Sequence, residues 1–401
     1  MTEESTEHAG ARALAGTTIL QAIPIVDDDW LGVCALRIAN GLLRAGARAL
    51  VAGAEGALVG ELQALGGEWI AFDFQARSPL RRFRGRRALA ELLAAERVDL
   101  VHTYGIAPAR LGAAAVPRSA ARLLTSYLGT PPRGSWFSPP HAAMARGEIV
   151  LAVSQFAASL IAERHALPTA RVRVIPPSID TEWFDAARTT GARIEALRQA
   201  WRIPPECRLI LMPGRLAPGR GHLTLVDAAR VLATGGLRRT IFVIAGATTE
   251  HDGYAEDVDR RITAQGLRGI FRNVGHCPDM PAAYALADLV VLPIERAPLF
   301  NSIAVEAQAM ARPVIASALG ALPYLVRAPP LAPEEERTGW LVPPHDPVAL
   351  ARAIAAALAL APAACEAMRG RARAFIEAHF SDAQVTAATL WMYSELLDKG
   401  A

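Results

Sequence analysis

Short apolar segments recur along this chain roughly every 20–30 residues, and that rhythm constrains the fold more than any other feature. The first set reads Thr18–Ile25, Ala49–Ala52, Trp69–Phe72, Leu100–Thr103, Leu123–Ser126, Ile149–Ser154 and Val172–Ile175. Helical patterns lie between several of them; Leu36, Ala39, Leu42 and Leu43 fall at i, i+3, i+6 and i+7. A continuous apolar run flanked by amphipathic helices suits a strand buried on both faces, which is the signature of a parallel sheet. The rhythm then restarts with Arg208–Met212, Ile241–Ala245, Ile270–Val274, Leu289–Leu292, Val314–Ala316 and Trp340–Val342. The expectation is an α/β protein of two tandem Rossmann-like, doubly wound domains, with ligands at the C-terminal strand ends in a shared central cleft.

The 401 residues suffice for two cores. The domain reading is a polar tail over 1–16, a first domain over 17–180, a proline-containing polar linker over 181–205 and a second domain over 206–378. Residues 379–401 carry a helical pattern with Trp391, Met392 and Leu396, expected to cross back to the first domain.

Composition removes several function classes. The 42 basic and 39 acidic residues leave a net charge of only +3, which makes no case for nucleic acid as a partner. Cys34, Cys207, Cys277 and Cys365 are scattered and read as reduced thiols rather than disulfides or metal ligands. The start, MTEESTEHAG, is acidic and polar, unlike a signal peptide. The most apolar run, Ala353 to Ala364, is broken by Pro362 and falls short of the ~20 residues that span a bilayer. A cytoplasmic protein is expected.

Two segments carry candidate chemistry. Pro213-Gly214-Arg215-Leu216-Ala217-Pro218-Gly219-Arg220-Gly221-His222 follows an apolar strand and precedes a helix with Leu225, Ala228, Ala229 and Leu232 on one face. A strand, a glycine-rich turn and a helix start form a ready anion site. Arg215 and Arg220 at its mouth suit a diphosphate held without a metal; the alternative is a pair of surface arginines on a tight turn. The second segment, Pro293 to Ser317, reads as a strand end, a loop, a helix bearing Glu306, and another buried strand. Ile303, Val305 and Ala309 argue for partial burial of Glu306, against an ordinary surface carboxylate.

Order and spacing over about 360 residues resemble the retaining glycosyltransferases of family 4, which have the GT-B fold. The matching stretches include VDLVHTYG, MARGEIVLAVSQF, VIPPSID, PGRLAPGRG, VGHCPDMPAAYALADLVVLP, AVEAQAMARPVIAS and TGWLVPPHDP. The resemblance implies a hexosyltransferase acting from a nucleotide-sugar donor on a cell-envelope glycan or lipid acceptor, with no metal cofactor. It implies that Arg215 and Arg220 hold the donor diphosphate, Arg220 standing where the family has lysine. Glu306 would take the ribose hydroxyls, and Asn301 and Ser302 would form the phosphate loop; the family's Phe-Gly reads Phe300-Asn301 here, and asparagine tolerates unusual backbone angles better than most residues.

The chain also departs from the family pattern. Pro298 stands at the first glutamate, Leu128 at a histidine beside the donor sugar and Tyr324 at the glutamate of a G-G-x-x-E turn. Asp29-Trp30 replaces a Gly-Gly pair, and Pro177-Ser178 alters the usual VIPNGVD. The catalytic residues are therefore unassigned, with Glu295 a weak substitute. The alternative function is a pseudo-glycosyltransferase that binds a nucleotide sugar or a partner enzyme without turnover.

Other features weigh less. Asp27-Asp28-Asp29 imitates a metal-binding DxD but directly follows the first strand. His102 ends a strand and reads as structural rather than as a general base. His276 and Asp279 belong to a turn that in the family lies near the nucleotide base. Arg77, Arg81, Arg82, Arg84, Arg86 and Arg87 crowd one short stretch, read either as a solvated helix face or as a docking surface for anionic lipid at the inner face of the membrane.

Overall fold

Each predicted strand set forms its own parallel sheet in the computed structural model, which describes residues 14–75, 78–129, 139–248 and 253–398. The first sheet contains β1 (Thr18–Ile25), β2 (Arg48–Ala54), β3 (Glu68–Ala71), β4 (Leu100–Tyr104), β5 (Arg122–Ser126), β6 (Ile149–Ala152) and β7 (Val172–Val174). Their order is β3-β2-β1-β4-β5-β6-β7. The second contains β8 (Arg208–Pro213), β9 (Thr240–Ala245), β10 (Phe271–Gly275), β11 (Leu289–Leu292), β12 (Val314–Ser317) and β13 (Gly339–Val342), in the order β10-β9-β8-β11-β12-β13. Both are doubly wound, as expected. The chain builds outward in one direction from β1 or β8, then in the other from β4 or β11.

The continuous apolar runs follow from burial on both faces. In β1 and β2, Ile19, Ile23, Ala49 and Val51 enter one core cluster while Leu20, Ala22, Leu50 and Ala52 enter the other. Successive side chains point to opposite faces, so a strand covered on both sides gives few positions to polar residues, and those it holds, such as Gln21 of β1, are hydrogen-bonded. In β8 the same alternation sends Ile210 and Met212 to one core cluster, with Leu209 and Leu211 buried as well.

The chain divides into two units, one running to Ser178 and resuming at Asp382, the other being Ile179–Ser381. In the first unit, helix α1 (Trp30–Arg44) buries Ala35, Leu36, Ile38, Ala39 and Leu42, and helix α2 (Pro79–Ala95) carries the arginine cluster. Arg77 lies outside the described residues. Residues 181–205, expected as a linker, belong to the second unit and include helix α3 (Gly191–Ala200). Arg193 of α3 donates two hydrogen bonds, at 2.8 and 2.6 Å, to Asp279, which ties the segment down. The remaining helices used below are α4 (His222–Thr234), α5 (Met280–Leu286), α6 (Ser302–Ala309) and α7 (Asp382–Asp398).

Helix α7 belongs to the first unit and packs on α1. A Cβ at Gly41 would lie 2.5 Å from Thr386 Cγ2, so glycine there lets the two helices approach closely. Met392, Tyr393 and Leu396 of α7 complete the first unit's core. No single described helix is long and apolar enough to cross a membrane.

Candidate functional site

In a doubly wound sheet the ligand crevice opens where strand order reverses, which in the second unit is between β8 and β11. The two segments singled out from the sequence leave the sheet at these strand ends. The turn after β8 bends through Gly214, Gly219 and Gly221, all at positive φ. At Gly221 the requirement is absolute, since a Cβ would lie 1.7 Å from the Pro293 carbonyl oxygen. The Glu295 N–H donates to the Gly219 carbonyl at 3.0 Å, joining the two loops. A Cβ on Gly214 would sit 3.0 Å from Ile303 Cδ1, so the turn also abuts the first residues of α6.

Arg215 is exposed and Arg220 half-buried, and neither forms an ion pair within the described residues. Burial first, and then the charge of Arg215, lower the pKa of the Arg220 guanidinium. Helix α4 begins at this turn, and its N-cap Gly221 provides no side-chain cap to its leading amides. Two cations in mutual repulsion beside open helix amides form a site whose charge an anion would balance. His222, the first residue of α4, is buried, and neither ring nitrogen has a partner among the described residues. Burial and then Arg220 lower its pKa to about 4, so it is neutral at pH 7.

Glu306 projects from α6 and is half-buried. Its Oε2 accepts a hydrogen bond from the Tyr284 hydroxyl of α5 at 2.7 Å. Burial raises its pKa, against the hydrogen bonds from Tyr284 and Ser302. Tyr284 is itself fully buried, against Phe184. Asn301 caps α6: its side chain accepts from the Ala304 amide at 3.1 Å, with φ at −143°. The left-handed tolerance of asparagine is thus not used; its side chain takes up one amide of the helix start instead. Asp279 likewise caps α5 while bonding Arg193, so its carboxylate is fully engaged.

The departures from the family pattern in this unit lie side by side. The Pro298 carbonyl accepts from the Ala321 amide at 2.9 Å, and a Cβ on Gly320 would lie 2.6 Å from the same oxygen. Tyr324, in the turn after Gly320, is 51 % exposed. Glu295 accepts a hydrogen bond from Thr224 Oγ1 at 2.7 Å, and His345 Nδ1 lies 3.7 Å from the same carboxylate oxygen. Arg296, which the sequence did not single out, lies against Gly219, where a Cβ would be 2.7 Å from its Cδ.

In the first unit, His102 is fully buried between two hydroxyls, Tyr393 Oη at 2.6 Å and Ser126 Oγ at 2.8 Å. Burial lowers its pKa to about 3. Tyr104 donates to Gln21 Oε1 at 2.9 Å, and Gln21 in turn donates to the Ala35 carbonyl at 2.8 Å. The aspartates after β1 act locally: Asp29 caps α1 by accepting from the Gly32 amide at 2.9 Å, and Asp27 accepts from the Ala57 amide at 3.2 Å. Among the described residues no group of three or more His, Cys, Asp or Glu side chains is placed to hold a metal ion.

Two family models match the chain: Glycosyltransferase Family 4 over residues 31–183 and Glycosyl transferases group 1 over residues 207–359. Together they take in well over half of it. A D-inositol 3-phosphate glycosyltransferase of Salinispora tropica is 30 % identical over 219 residues, 53 % of this chain and 44 % of that protein. Another, of Catenulispora acidiphila, is 33 % identical over 218 residues, 53 % of this chain and 49 % of that protein. The chain spans about half the length of the curated relatives it matches. Among solved structures, a glycosyltransferase of Rickettsia africae superposes with a TM-score of 0.81 at 24 % identity, covering 95 % of this chain and 98 % of that one. Anabaena HepE in complex with UDP and glucose superposes with a TM-score of 0.73 at 20 % identity, covering 94 % and 100 %. These likenesses establish the GT-B fold.

Proposed function

The chain belongs to glycosyltransferase family 4, and we propose that it transfers a sugar from a nucleotide-sugar donor to a cell-envelope glycan or lipid acceptor. Arg215 and Arg220 hold the donor diphosphate, the open amides of α4 and the loop at Asn301 and Ser302 add to that grip, and Glu306 accepts the ribose hydroxyls. The observation that carries this reading is the approach of the turn bearing Arg215 and Arg220, neither ion-paired among the described residues, to the start of the Glu306 helix at the β8/β11 strand ends. The relatives' names support transferase chemistry, and the neighbour crystallised with UDP supports a nucleotide donor.

The reaction we infer is a retaining hexosyl transfer without a metal. Negative charge grows on the departing diphosphate, where Arg215 and Arg220 stabilise it; one well-placed group of this kind contributes about 2.7–4 kcal/mol. Glu306 binds as the carboxylate, so its raised pKa makes nucleotide affinity climb with pH through that value. Glu295 serves as a substitute acid at the sugar only by releasing Thr224. The arginines of α2 (Arg81, Arg82, Arg84, Arg86 and Arg87), interspersed with Leu80 at 60 % and Phe83 at 56 % exposure, suit docking on an anionic lipid surface at the inner face of a membrane.

Hydrolysis and transfer assays across UDP-, GDP- and ADP-sugars test the proposal, with calorimetry of the free diphosphates. Turnover with at least one donor is expected. Binding of no diphosphate to wild type, or equal binding to an R215A/R220A variant, overturns it. Pro298, Leu128 and Tyr324 favour a second reading, a pseudo-glycosyltransferase that binds nucleotide sugar without turnover. Activity that appears only after Pro298→Glu, Leu128→His and Tyr324→Glu are combined establishes that reading; wild-type turnover unaffected by them removes it.

A further inference from the structure

The first unit contains a pocket of about 50 Å³, lined by residues of α1, the ends of β4 and β5, the Ile175–Ser178 segment and α7. At ~10–15 Å³ per water it has room for a few water molecules, or for the end of one hydrocarbon group. Its walls are mainly hydrocarbon, with Ile38, Leu128, Val153, Ile175 and Val385 among them. Apart from the exposed Trp30 indole, the polar side chains it presents are already engaged within the unit. His102 bonds Tyr393 and Ser126, and Tyr104 bonds Gln21. Thr389 donates to the Val385 carbonyl, Ser178 accepts from Arg37 at 3.5 Å, and Cys34 brings only a weakly polar thiol. Pro176 and Pro177, which also line it, have no N–H to offer.

A sugar entering this space would give up hydration and find few donors or acceptors left to replace it. A hydrocarbon group would lose nothing polar and remove apolar wall from water. Three of the departures from the family pattern also converge here, since Trp30, Leu128 and Pro177-Ser178 all line this one pocket. Trp30 is 45 % exposed and adds an aromatic face.

We propose that this pocket takes the end of a hydrocarbon group carried by the acceptor. The acceptor assignment rests on the transferase reading above; the preference for hydrocarbon rests on the pocket alone.

The test is binding of phenyl, n-butyl and methyl β-D-glucosides to the full chain, followed by saturation-transfer NMR and calorimetry. Phenyl and butyl glucosides should bind about tenfold more tightly than methyl, with saturation strongest on the apolar group. Leu128→Asn, and independently the exposed Trp30→Ala, should erase that preference while circular dichroism stays that of wild type. Equal binding of the three glucosides overturns the proposal, as does a preference that survives both substitutions. If wild type prefers phenyl glucoside yet binds no nucleoside diphosphate, the pocket stands and the donor reading falls.

Discussion

Where β8 parts from β11, the second unit gathers glycines at positive φ, two arginines with no ion pair within the described residues and an uncapped helix start. Where β1 parts from β4, the first unit gathers Gln21, His102 and Tyr104, whose hydrogen bonds close on one another and on Ser126 and Tyr393. The topologies match and the chemistry is opposite. Strand order decides where a crevice opens. The loop residues decide whether it invites charge or hydrocarbon. One crevice has unspent hydrogen-bonding capacity; the other has almost none.

The largest effect that would break this contrast is in the second unit's turn. Gly221→Ala puts a methyl group 1.7 Å from the Pro293 oxygen, at a backbone φ of +87° that alanine resists. Destabilisation of about 4 kcal/mol or more is expected, at the extreme of single substitutions. Hydrogen exchange should show β8 and β11 amides losing protection while β1 and β4 keep theirs. Unchanged protection would mean that the two loops are not packed as described.

Next is the arginine pair. Hydrogen bonds to charged groups contribute about 1.5–3 kcal/mol each, so R215A/R220A should weaken nucleoside diphosphate binding by roughly 100-fold or more. The free nucleoside should bind nearly as before. Because Arg220 is half-buried beside a like charge, thermal stability should not fall. An equal loss for nucleoside and diphosphate would move the cations away from the phosphates.

Both strand sets were legible because two-sided burial leaves unbroken apolar runs. The Arg215–Arg220 turn was legible because strand, glycines and helix are contiguous. Glu306 was found by its place in a motif, but Tyr284, the hydroxyl that holds it, lies on another helix, and neither period nor composition marks such a pair. The capping role of Asn301 was legible for a local reason, since an asparagine just before an apolar helix is an N-cap signal, and it needs none of the residue's tolerance of unusual backbone angles. The segment 181–205 looked like a linker because it is polar and flanked by prolines, while the ion pair that docks it, Arg193 with Asp279, spans 86 residues. The first unit's apolar pocket was invisible because its lack of free hydrogen-bonding capacity is a property of partners, not of residues.

The first unit's closed network predicts the third effect. His102→Phe keeps the ring but strips partners from Tyr393 and Ser126, costing about 2 kcal/mol at neutral pH. The folded His102 titrates at about 3 against an ordinary 6.5, so it stays neutral where the unfolded chain already binds a proton. The wild type therefore loses stability as pH falls from about 6.5 toward 3. The variant has no such term, and its deficit should narrow steadily over that window in urea titrations. A constant deficit would mean that His102 exchanges protons with solvent.

Glu306 gives the smallest effect and the opposite sign. Burial raises its folded pKa above the ordinary 4.5, so its contribution to stability is full below that value and is lost as pH rises through the folded pKa. Glu306→Gln cannot ionise. It should match wild type in acid and exceed it near neutrality by about 1 kcal/mol or less, since its amide oxygen can still accept from Tyr284. Affinity for the free nucleoside, which has no phosphate to titrate, should lose its dependence on pH in the variant, because no carboxylate forms to meet the ribose. If instead nucleoside affinity rises with pH as steeply in the glutamine variant as in wild type, the titrating group is not Glu306, and the crevice between β8 and β11 draws its selectivity from the arginines alone.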